Sequence, residues 1–140
     1  MFANKQTPLA IRESLSQSIF TFFLALIFAV FAALQWNDPD PLVWMAIYGG
    51  TSLACVASAF FRLPGILGVA AVVLALVFAA WLWPGETKNV FGEMEGNPVV
   101  EEARESMGMV IVAGAFIYLL WRSLARVRSS VVLIRKPEIS

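Results

Sequence analysis

The sequence predicts an all-α membrane protein: a four-transmembrane-helix up-down bundle with a short N-terminal cytoplasmic helix and an extended fourth helix. Three observations carry this. A composition of 59% hydrophobic and 14% charged residues, with mean hydropathy +0.76, leaves too little polar surface to coat a soluble globule. Apolar runs of about 18 residues or more can cross the roughly 30 Å hydrocarbon layer as helices, and four occur, at 19–36, 42–61, 66–83 and 107–120. The last is short unless its helix starts outside the core, which gives spans of about 19–36, 42–61, 66–83 and 107–124. Basic residues then segregate across those spans. Lys5, Arg12, Arg62, Arg122, Arg126, Arg128, Arg135 and Lys136 fall on one side and only Lys88 and Arg104 on the other, so the positive-inside rule places both termini in the cytoplasm. In a bacterial source that membrane is the inner one.

Each element has its own signals. Thr7-Pro8 reads as a helix start, giving a cytoplasmic lead-in helix that joins the first span. That span follows basic residues as a secretory signal would, but its length and the lack of a small-x-small cleavage site argue that it is retained. Asn37 to Pro41 and Arg62 to Gly65 are connections short enough to force antiparallel neighbours. The third connection, Pro84 to about Asn97, is longer and carries Gly85, Gly92 and Gly96, so it is the flexible outer segment. Asn97-Pro98 reads as an N-cap followed by proline at the first helical position, which starts the fourth helix near 98 and runs it to about Leu124. The whole chain, 1–140, is read as one transmembrane domain without internal repeats.

Small residues recur at spacing four, as Ala25, Ala29 and Ala33, as Gly50, Ala54 and Ser58, and as Ala71, Ala75 and Ala79. Such residues let helix backbones approach where lipid removes the hydrophobic drive between helices. Trp36, Trp44, Trp81 and Trp83 are placed at the outer boundary as interfacial aromatic residues. A lone Cys55 excludes an internal disulfide, and the absence of histidine argues against haem or a typical transition-metal site.

Acidic residues gather on the outer side in two places. In "LQWNDPDPLVW", Asn37 suits the left-handed end of a helix, and Asp40 before Pro41 suits the N-cap of the second span. Asp38 is left without a capping task. In "VVEEARESMGM", Glu101 and Glu105 share a helix face with Gly108, a like-charge pair costing roughly 0.2–0.5 kcal/mol on an isolated helix. Arg104 is expected to reach Asp38. Calcium takes oxygen ligands from carboxylates, amides and carbonyls. Asp38, Asp40, Glu101 and Glu105 are therefore the candidate divalent-cation ligands, with Gln35, Asn37 and Glu102 as further donors, although no sequential calcium-loop spacing is present.

Around the hairpin Gln35, Asn37, Asp38, Pro39, Asp40, Pro41, Trp44, Ile47 and Tyr48, and at the fourth helix Glu102, Arg104, Glu105 and Gly108, resemble the transmembrane protein 220 family. The resemblance implies a small four-span membrane protein of uncharacterised role. It carries over no catalytic residue.

The leading functional reading is a non-catalytic accessory or scaffolding protein. Its partners are the lipid bilayer and, through small-residue helix faces, a larger membrane protein or further copies of itself; no nucleic acid is expected. No cofactor is expected apart from the divalent cation. The alternative is an extracytoplasmic cation- or ligand-binding module at the acidic outer helix ends, and a third reading is a lipid-modifying enzyme using one of the carboxylates. Transport is disfavoured, because the membrane-depth polar candidates, Tyr48, Thr51, Ser52 and Tyr118, are neutral. The basic tail from Trp121 to Lys136 has two readings, binding of anionic lipid and fixing of the last span's orientation.

Overall fold

The computed structural model describes the backbone of residues 8–85 and 97–134 and the side chains of 15–85 and 97–128. Lys88, Glu86, Glu93, Glu95, Gly92 and Gly96 of the third connection, and Arg135 and Lys136 of the tail, lie outside the described residues, as do the side chains of Arg12 and Glu13. Four α-helices follow one another: α1 (Pro8–Leu34), α2 (Pro41–Phe60), α3 (Gly65–Leu82) and α4 (Pro98–Ile134). All four contain a stretch long and apolar enough to cross a bilayer. The lead-in helix and first span are one continuous α1 beginning at Pro8, as the Thr7-Pro8 signal predicts.

Helix limits follow from local chemistry. Asn97 caps α4 as expected: its Oδ1 accepts the Val99 N–H at 3.2 Å, while its carbonyl accepts the N–H groups of Val100 and Glu101. Pro98 then occupies a position whose missing N–H costs nothing. The far end departs from expectation. Instead of stopping near Leu124, α4 continues to Ile134. Its 37 residues amount to roughly 55 Å at about 1.5 Å per residue, well beyond the roughly 30 Å hydrocarbon layer. Hydropathy marks where a span leaves lipid; a helix, once formed, propagates until a residue stops it.

The chain divides into two compact units, Met1–Arg62 and Leu63–Ser140. The first is the antiparallel hairpin of α1 and α2, the second that of α3 and α4. In the first, the Ser52 hydroxyl donates to the Ala25 carbonyl of the opposite helix at 2.8 Å. An aromatic core surrounds Tyr48, which stacks on Trp44 and Phe28 at centroid distances of 5.8 and 6.2 Å and meets Phe31 edge-on at 5.7 Å. Nearer the other end, Phe22 and Phe60 meet edge-on at 6.3 Å. In the second unit, Ser106 donates to the Ala79 carbonyl at 2.7 Å and Ser123 to the Leu63 carbonyl at 3.2 Å. The stretch of α4 between those serines is therefore the part matched by α3. Gly68 lies where a Cβ would meet the Leu120 side chain, so the missing side chain is what lets the two helices close.

Two expectations about packing change. Trp36 and Trp81 are about three-quarters exposed and Trp83 is about half exposed, as interfacial residues would be, but Trp44 is only 4% exposed. It belongs to the core of the first hairpin. The spacing-four rows also hold only in part. Ala75 and Ala79 are buried with Ala71 half-buried beside them, whereas in α1 only Ala25 is buried and Ala29 and Ala33 face outward. In α2 Gly50 is exposed, and the buried row is Trp44, Tyr48, Thr51, Cys55 and Ser58, alternating steps of four and three as one helix face requires.

Candidate functional site

The hairpin tip ends α1 through a 3-10 turn, Gln35–Asn37, in which the Asp38 N–H donates to the Gln35 carbonyl at 3.1 Å. Tightening the last turn in this way satisfies a terminal carbonyl without a left-handed residue. The chain becomes extended at Asp38 (φ −73°, ψ 151°), as the following proline demands. Its Oδ1 accepts the Asp40 N–H at 3.3 Å, an Asx turn.

This exchanges the roles expected for the two aspartates. Asp40 holds the N-cap position of α2, but its carboxylate makes no capping bond; its carbonyl accepts the Trp44 N–H at 3.4 Å. Asp38, for which the sequence offers no capping task, organises the turn. Gln35 and Asp38 are half-buried, Asn37 and Asp40 are exposed, and Trp44 and Tyr48 lie inside the hairpin.

At the start of α4, Glu101 lies in the first turn, where the helix dipole favours a carboxylate. Glu101 and Glu105 are half-buried and Gly108 is buried, in keeping with the shared face that their spacing predicts. Glu102 and Arg104 are exposed on either side of buried Ala103. Among the described residues no group of three or more His, Cys, Asp or Glu is gathered to hold a metal ion.

Serine and threonine hydroxyls of the spans bond to backbone carbonyls, three within a helix and three between segments. Thr21 donates to the Gln17 carbonyl at 2.7 Å and Thr51 to the Ile47 carbonyl at 2.8 Å, each one turn back along its own helix. Ser58 reaches the Cys55 carbonyl at 2.8 Å. With the interhelical bonds of Ser52, Ser106 and Ser123, six hydroxyls end on backbone carbonyls. Each interhelical bond of this kind stabilises a membrane bundle by about 0.6 kcal/mol on average.

One residue stands out that the sequence presents only as a basic residue of the topology count and the tail. Arg122 is 2% exposed, the largest fully buried side chain among the described residues. The signal was in the spacing: Ala115, Leu119 and Arg122 continue one buried row of α4 by steps of four and three. That row runs past the place where the apolar run ends, so a charged residue is carried into the interior.

The pattern described as "Transmembrane family 220, helix" matches residues 27–121, more than half of the 140-residue chain. No curated protein and no solved structure matches.

Proposed function

The chain belongs to transmembrane family 220, and from that premise we propose that this multi-pass membrane protein is a non-catalytic accessory protein that docks on a larger membrane partner. The observation that carries this reading is the fate of six serine and threonine hydroxyls in the two hairpins. A permeation path or an active site at membrane depth needs polar groups left to face water or substrate, whereas here six of them are committed to backbone carbonyls. Outward small residues support the docking. Ala46, Gly50 and Ala57 share an exposed face of α2, and small residues let another helix approach closely.

The test is purification of the chain at native abundance in mild detergent, with mass spectrometry of what accompanies it. A membrane protein recovered in fixed stoichiometry, and lost when Gly50 is replaced by leucine, is the expected result. Recovery of the chain alone, or lipid turnover by the purified chain, would overturn the reading.

Both termini are proposed to be cytoplasmic, on the eight-to-two distribution of Lys and Arg across the four spans. Alkaline phosphatase fused after Ser140 should be inactive and fused after Gly85 active. The reverse pattern overturns the orientation.

A further inference from the structure

The geometry points to a binding site for one anionic phospholipid along the C-terminal part of α4, with Arg128 receiving the phosphate and Ile117, Trp121 and Leu124 lying against an acyl chain. These four residues follow one another by steps of four, three and four, so they form a single stripe on the helix. All four are exposed, the apolar three at 52, 56 and 60%.

Depth is set independently by the α3–α4 register. Ser123 is tied to the Leu63 carbonyl just before α3 begins. The 18 residues of α3 span roughly 27 Å at about 1.5 Å per residue, close to the roughly 30 Å hydrocarbon thickness, so the hydrocarbon edge lies near Ser123. Arg128 is then roughly 7.5 Å further out, within a headgroup layer about 5–8 Å thick. From Ile117 to the level of Ser123 is roughly 9 Å along the axis, so the apolar end of the stripe lies in the headgroup-proximal part of the about 15 Å hydrocarbon of that leaflet. The stripe therefore has the polarity of the headgroup end of one lipid: apolar where the upper acyl chain lies and cationic at the phosphate. Trp121 sits between, as an amphipathic ring does near an interface, with Tyr118 beside it at 6.1 Å.

The neighbouring arginines have other settings. Arg122 is buried, and half-buried Arg126 follows it by one turn on a different face from the stripe. A guanidinium can bind phosphate with two parallel hydrogen bonds, and a basic side chain near an anionic surface is worth about 1 kcal/mol, or roughly fivefold in affinity.

The test is native mass spectrometry of the full chain from mixed micelles containing phosphatidylglycerol or phosphatidylcholine. The wild-type chain is expected to retain phosphatidylglycerol about fivefold over phosphatidylcholine. Arg128→Gln should bring that ratio to near one, Arg128→Lys should keep most of it, and Leu124→Asn should lower retention of both lipids. An unchanged ratio in Arg128→Gln would overturn the proposal. So would an equal loss in Arg126→Gln, which would mean a diffuse basic surface, or displacement of the lipid by inorganic phosphate.

Discussion

Gly68→Val is expected to destabilise the second hairpin by about 1–3 kcal/mol, the usual cost of overpacking. A Cβ at Gly68 would lie 2.7 Å from Leu120 Cγ and 3.0 Å from Leu63 Cδ2, distances at which something must move. Valine adds two further methyl groups. Leu120 must turn away from its place against Gly68, so the substitution disturbs the close approach next to the Ser123 bond. Equilibrium unfolding in mixed detergent is the measurement. Gly114→Val is the matched control, because nothing lies within 4 Å of a Cβ there, and replacing glycine by valine inside a helix changes intrinsic propensity by only about 0.3 kcal/mol. Leu120→Ala should restore part of the Gly68→Val loss, since the two sites are in contact. Equal stability of the Gly68 and Gly114 variants would show that the close approach is not what holds α3 to α4.

Trp44→Ala should cost the first hairpin about 2–3 kcal/mol, less than the 3–5 kcal/mol typical of such a change in a water-soluble core. The discount has a physical reason: lipid tails solvate an apolar ring nearly as well as the protein does, so packing contacts are lost but little transfer energy. What disappears is the outermost ring of a stack, Trp44 on Tyr48 on Phe28, with Phe31 against its edge. Unfolding in detergent and the near-ultraviolet circular dichroism of the stacked rings both report on it. Trp36→Ala removes the same side chain from a site that is 76% exposed and should cost well under 1 kcal/mol, the usual scale for a surface change. If the two tryptophan variants are equally stable, Trp44 is not a core residue.

The contrast between those tryptophans shows what the sequence could reveal and what it could not. Run length locates a residue along the membrane normal, and that coordinate was legible. Helices begin at Pro8, Pro41, Gly65 and Pro98, each beside a proline or glycine signal, and the Asn97 cap was readable from Asn-Pro alone. Run length says nothing about direction around the helix. Trp36 and Trp44 read alike as interfacial rings, yet one faces out and the other in. Ala25, Ala29 and Ala33 are likewise equivalent as letters, and only the partner helix selects Ala25. Asp38 and Asp40 both precede proline. Backbone direction after the 3-10 turn decides that Asp38 does the turn bonding, a choice neither neighbour specifies. Arg122 was obscured for a different reason, because charge outweighed its place in a buried row.

The packing of α1 along α2 and of α3 along α4 bears on how the protein is made. Every interhelical bond described closes a loop between consecutive helices, and loop-closure entropy is smallest for such local pairings. The ribosome can thus deliver the first hairpin complete before the second has been synthesised. Assembly in two halves is the expected result: a nascent chain arrested once Phe60 has cleared the insertion machinery should already hold the Ser52 bond and the aromatic stack.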